Sequence, residues 1–129
     1  MTLQLSNEEK IEFFHNALCN GLGYIQHYGL TIDVDEAIYA KARVNVQTPK
    51  FSSKPCYEDV LIQILNEGDS FTIQDSESEE NHVITLELVL SNMDKVPMDS
   101  LMDMKNEQDD AETADAIIQS VIFGEVIYG

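Results

Sequence analysis

Apolar residues in this chain recur every three or four positions in several short runs, each closed by a glycine, a proline or a polar cap. A chain punctuated this way cannot form one long helix or a coiled coil. It must bury several short amphipathic helices against one another. The first run is Ile11, Phe14, Leu18, Leu22 and Ile25 with Ala17 beside it, and it opens at Ser6 and Glu9, which have capping-box spacing. Gly21 and Gly23 interrupt the run, each costing about 1 kcal/mol relative to Ala inside a helix. They predict either a break or a close approach by another element, and Gly29 predicts the stop.

Leu30-Thr-Ile-Asp reads as a short extended piece, and Asp33 followed by Glu36 as the cap of a second helix. Val44-Asn-Val-Gln is more strand-like, and residues 48–55, with two prolines and two serines, form a loop. Pro55 opens a third helix with its stripe at Tyr57, Val60, Leu61, Ile64 and Leu65, and Gly68 ends it. Ser70-Phe-Thr-Ile-Gln alternates polar and apolar, residues 75–81 form a hydrophilic turn, and His82-Val-Ile-Thr-Leu returns as the second strand of an antiparallel hairpin. Thr85 caps a helix carrying Leu86, Val89, Leu90 and Met93. Pro97 closes it and opens another with Met98, Leu101, Met102 and Met104. Asp109 with Glu112 starts the last helix, whose inward stripe is Ala114, Ile117, Ile118, Val121 and Ile122. Gly124 stops it, and residues 125–129 read as a short docked strand. The expected fold is α+β: short helices packed with a small antiparallel β-hairpin in a single compact domain, residues 1–129.

Composition then narrows function. With 129 residues, 43% of them hydrophobic, the chain can bury a core without staples. Its net charge of −17 is unevenly spread. Residues 1–54 hold six acids and five bases and are near neutral, whereas residues 55–129 hold eighteen acids against Lys95 and Lys105 alone. Such a surface lacks the basic footprint that direct nucleic-acid binding requires, and an anionic membrane would repel it. No apolar run reaches the length of about 18 residues that a membrane span needs. The acidic start lacks an apolar signal core, so the expected compartment is the cytoplasm. There Cys19 and Cys56 are expected to be reduced and buried.

No constellation for catalysis, cofactor or metal emerges, and the chain reads as non-catalytic. His15 and Cys19 lie four apart on one helix and could touch, which with scattered carboxylates leaves a small hydrolase as a further alternative; a partly buried Cys beside a surface His is the plainer account. Asp75, Glu77 and Glu79 match the first, third and fifth positions of a calcium loop, but Glu80 and Leu86 stand where it needs Gly and Glu. The functional expectation rests on charge: a partner-binding surface formed by Asp75, Glu77, Glu79, Glu80, Asp103, Glu107, Asp109, Asp110, Glu112 and Asp115. Its partner would be a basic protein surface, in the sharpest form a nucleic-acid-binding protein whose ligand the acids mimic, as in inhibitors of phage or mobile-element type. The alternative is a homo-oligomeric accessory protein, a homodimer pairing through Val126-Ile-Tyr as an edge strand.

Overall fold

The computed structural model describes residues 4–46 and 55–129. The predicted loop at 48–55 therefore lies outside the described residues, apart from Pro55. Among those described are six α-helices, α1 (Asn7–Ile25), α2 (Glu36–Asn45), α3 (Tyr57–Asn66), α4 (Leu86–Asn92), α5 (Met98–Lys105) and α6 (Ala111–Phe123). Three strands, β1 (Leu30–Asp33), β2 (Phe71–Asp75) and β3 (Glu80–Ile84), form an antiparallel sheet in the order β1-β2-β3. The α+β expectation holds, and the hairpin gains a third strand. Leu30 pairs with Asp75 and Asp33 with Thr72, so the extended piece is the far edge of the sheet.

The centre is α6. Its predicted stripe of Ala114, Ile117, Ile118, Val121 and Ile122 is buried, and so are Thr113, Asp115, Gln119 and Ser120. It is covered nearly all round, as a helix in the middle of a small core must be. α1 lies along it, and Gly21 explains how closely. A β-carbon at Gly21 would stand 2.9 Å from Ala114 Cβ and 2.9 Å from Ile118 Cδ1. The two predicted alternatives for the glycine pair thus resolve: α1 runs unbroken to Ile25, and Gly21 is the point of close approach. The Ser6–Glu9 capping box that starts α1 is present in both directions, at 3.1 Å and 3.0 Å.

The sheet lays Leu30, Ile32, Phe71, Ile73 and Ile84 against the helices, while Thr31, Asp33, Thr72 and Val83 alternate outward. Several local expectations need correction. Asp33 is held in β1, and Asp35 caps α2 instead, accepting from the N–H groups of Ala37 and Ile38. The strand-like Val44 and Asn45 stay helical. Asp110, not Asp109, caps α6 by accepting from Thr113 N–H. Met98 and Met102 are each 40% exposed, and only Leu101 and Met104 carry α5 into the core. Residues 125–129 form no strand. The N–H groups of Ile127 and Tyr128 go to the Gln119 side chain rather than to a β-ladder.

Candidate interaction surface

The His15–Cys19 pair does not form a dyad. His15 Nε2 lies 2.8 Å from Asp59 Oδ1, and the other oxygen of that carboxylate accepts from Cys56 N–H at 3.3 Å. Cys19 and Cys56 are free and exposed, which corrects their expected burial. Partial desolvation, with the charges of Glu58 and Asp59, pushes the Cys19 thiol up. Desolvation first of all pushes Cys56 up to about 11. A raised thiol is less often thiolate and is a poorer nucleophile at neutral pH. Among the described residues no group of three or more His, Cys, Asp or Glu side chains is placed to hold a metal. An open cleft of about 260 Å³ is lined by Leu22, Gln26, Leu30, Thr31, Ile32 and Tyr57, with no carboxylate, imidazole or thiol among them.

The predicted acidic surface divides into an outer set and a buried pair. Glu77, Glu79 and Glu80 are exposed around the β2–β3 turn. Asp103, Glu107, Asp110 and Glu112 are exposed on α5, the α5–α6 connection and the start of α6. Asp109 is half-buried and accepts from Asn20 Nδ2 at 2.8 Å. The N–H and hydroxyl of Thr113 hold the Asp110 carboxyl below its usual range. Among the described residues, none of these eight acids has a Lys or Arg within 4.0 Å; the ion pairs of Lys10, Lys41 and Lys105 go to Asp94, Asp69 and Glu9.

Asp75 and Asp115 do not belong to that surface. They are 2% and 7% exposed. Asp75 shares the inward parity of Phe71 and Ile73, so its carboxylate points where a core side chain would. There Oδ1 accepts from the N–H groups of Glu77 and Ser78, and Oδ2 accepts from the Tyr128 hydroxyl at 2.6 Å. Burial pushes this carboxyl up, but those hydrogen bonds outweigh it and hold Asp75 below its ordinary range. The same bond raises the Tyr128 phenol to about 12. Asp115 fares differently. Burial raises it, the bonds from Gln119 and Tyr28 offset only part of that, and the charge of Glu112 adds to the rise.

Together these groups make a connected chain. Asp115 Oδ1 accepts from Gln119 Nε2 at 2.8 Å and its Oδ2 from the Tyr28 hydroxyl at 3.3 Å. Gln119 in turn bonds to the main chain of Ile127 and Tyr128, and the Tyr128 hydroxyl reaches Asp75. This chain ties Asp75, at the start of the acidic turn after β2, to Asp115 and Gln119 on α6. His82 packs edge-on against Phe123 beside it, its Nε2 buried without a hydrogen-bond partner among the described residues, 3.8 Å from Glu80 Oε2. Sequence reasoning missed Gln119, Tyr128 and Tyr28. The parity of Asp75 with Phe71 and Ile73, and the position of Gln119 among α6 core residues, were the signals that pointed to them.

Among the described residues no helix is long and apolar enough to cross a membrane. Comparison with protein-family models, with curated proteins and with solved structures finds nothing that matches this chain.

Proposed function

We propose that this chain is a non-catalytic, cytoplasmic binding module whose outer acids dock a basic surface on another protein, in its sharpest form the nucleic-acid groove of an enzyme. The observation that carries this reading is the set of exposed carboxylates at Glu77, Glu79, Asp103, Glu107, Asp110 and Glu112 that have no Lys or Arg partner among the described residues. Ordinary surface acids beside so few bases repel one another, so this arrangement costs stability unless an opposite charge arrives. A partner that binds phosphate chains supplies one, and the encounter is accelerated by the long-range field. Self-association through residues 126–128 starts from exposed Val126 and Ile127. It is the weaker reading, because the N–H groups of 127 and 128 that an intermolecular strand would use are already bonded to Gln119.

The test is capture from host lysate on the immobilised chain, washed at about 50 mM and then about 300 mM salt, across which the screening length falls by roughly half or more. A nucleic-acid-binding protein retained at the lower salt and released at the higher is the expected result. A second bait carries Gln at 77, 79, 80, 107 and 112 and Asn at 103 and 110. It is expected to lose that partner by about tenfold or more, as removal of several charge contacts should. Equal recovery on both baits would sink the proposal.

A further inference from the structure

Cys19 and Cys56 are the only cysteines of the chain, and both are exposed. They belong to two helices that pack together, α1 and α3. His15, Cys19, Leu22 and Gln26 follow one another at helical spacing and share a face of α1 and its C-cap. The other three members of that stripe meet the first turn of α3. His15 Nε2 lies 2.8 Å from Asp59 Oδ1, and Leu22 and Gln26 line a cleft together with Tyr57. Cys19 stands between those contacts, about one turn from His15 and from Leu22, so it faces the same turn. Cys56 is the N-cap residue of that turn, and its N–H donates to the carboxylate of Asp59 that His15 meets. Electrostatics places Cys19 there by a second route: after partial desolvation, the charges of Glu58 and Asp59 are what raise its thiol.

We propose that Cys19 and Cys56 close to a reversible disulfide across this seam, a modification site whose oxidant is a small disulfide of the glutathione type. One thiol loses its proton to solvent and attacks a glutathione sulfur, and the first glutathione leaves as thiolate and takes up a proton. The other cysteine, deprotonated in turn, attacks the protein sulfur of that mixed disulfide and expels the second glutathione. Two protein thiols are oxidised, and one glutathione disulfide is reduced to two thiols. The acids beside the seam set the character of the bond. Thiols held high form little thiolate, so closure is slow at neutral pH. A thiol of high pKa is also a slow leaving group, so the bond outlasts the oxidant until a strong dithiol reduces it. Once formed, it staples α1 to the start of α3 and restricts the unfolded chain. This inference does not depend on the acidic-surface reading.

The experiment incubates the full chain with glutathione disulfide, quenches with acid, and reads the intact mass and the peptide map of the product. The expected product is a monomer short of two hydrogens, with Cys19 joined to Cys56 and both closed to alkylation. It should form about tenfold faster for each pH unit between about 7 and 8, as the thiolate fraction rises. In denaturing urea the ratio of internal bond to mixed disulfide should fall about tenfold or more, because only the folded seam holds the thiols together. Cys19→Ser and Cys56→Ser, both at exposed positions, should each stop at one bound glutathione. A disulfide needs its α-carbons within about 7 Å, so the product reads directly whether the seam closes to that distance. Glutathione left on one or both cysteines without an internal bond, a cross-linked dimer, or an internal bond no commoner in the folded chain than in urea would each overturn the proposal.

Discussion

Valine in place of Gly21 is expected to destabilise the fold by about 3 kcal/mol, at the upper end of what overpacking a core costs. Even a single β-carbon there would stand 2.9 Å from both Ala114 Cβ and Ile118 Cδ1, closer than side chains pack. Two more methyl groups must drive α1 off α6, along the most extensive helix–helix contact in the molecule. Gly23 is the internal control. It lies in the same helix, and a β-carbon added there would have nothing within 4 Å. Gly23→Ala should therefore stabilise the chain by up to about 1 kcal/mol through helix propensity and a less free unfolded state. Urea unfolding of the two variants reads the opposite signs directly as midpoint shifts at unchanged slope. Equal midpoints for Gly21→Val and wild type would mean that the α1–α6 contact is not tight.

The glycine pair also marks how far the sequence could be read. Periodicity located the cores of α1, α3 and α6, because a buried stripe leaves its spacing in the chain: Phe14, Leu18 and Ile25, or Ile117, Ile118 and Val121, are all buried. Caps were legible to within a residue or two. Asp35 and Asp110 took the places expected for Asp33 and Asp109, since any Asp near a helix start has the right chemistry and strand pairing or chain path decides which one serves. Third-strand pairing was not legible, because Leu30 meets Asp75 from far along the chain and no local pattern records it. The segment after α6 was misread for a related reason. Val126-Ile-Tyr has strand composition, but a side-chain amide satisfies its main chain.

Of the acidic surface, the exposed members were legible from charge density alone. Charge density could not separate Asp75 and Asp115 from them, because both stand in acidic runs. What distinguishes the two is a tyrosine or glutamine brought from another turn or element: Tyr128 for Asp75, Tyr28 for Asp115, with Gln119 between. A buried carboxylate without a cation survives only when hydrogen bonds replace the water it lost. The two tyrosines come from the fold, whereas Glu77, Ser78 and Gln119 lie within four residues of the carboxylates they serve.

These two buried carboxyls should respond oppositely to the same change. Asp75→Asn is expected to cost about 2 kcal/mol at neutral pH, because the acceptor of the Tyr128 hydroxyl and of two N–H groups loses its charge. Asp115→Asn should instead leave stability unchanged or raise it by up to about 1 kcal/mol, since it removes a charge that burial and Glu112 disfavour. The pH dependence follows from the direction of each shift. Asp75 lies below its unfolded value when folded, so its contribution is fully present above the unfolded pKa of about 4 and is lost as pH falls through the folded one. Asp115 lies above its unfolded value, so stability falls as pH rises from about 4 through the folded pKa, and the cost remains at neutrality. Urea unfolding at several values between about pH 3 and pH 7 should show both variants converging on wild type at the acid end and parting in opposite directions above it. Loss of stability by Asp115→Asn equal to that of Asp75→Asn at pH 7 would mean that the bond from Gln119 to Asp115 outweighs the burial of its charge, and that both carboxylates, not Asp75 alone, hold residues 127–128 in place.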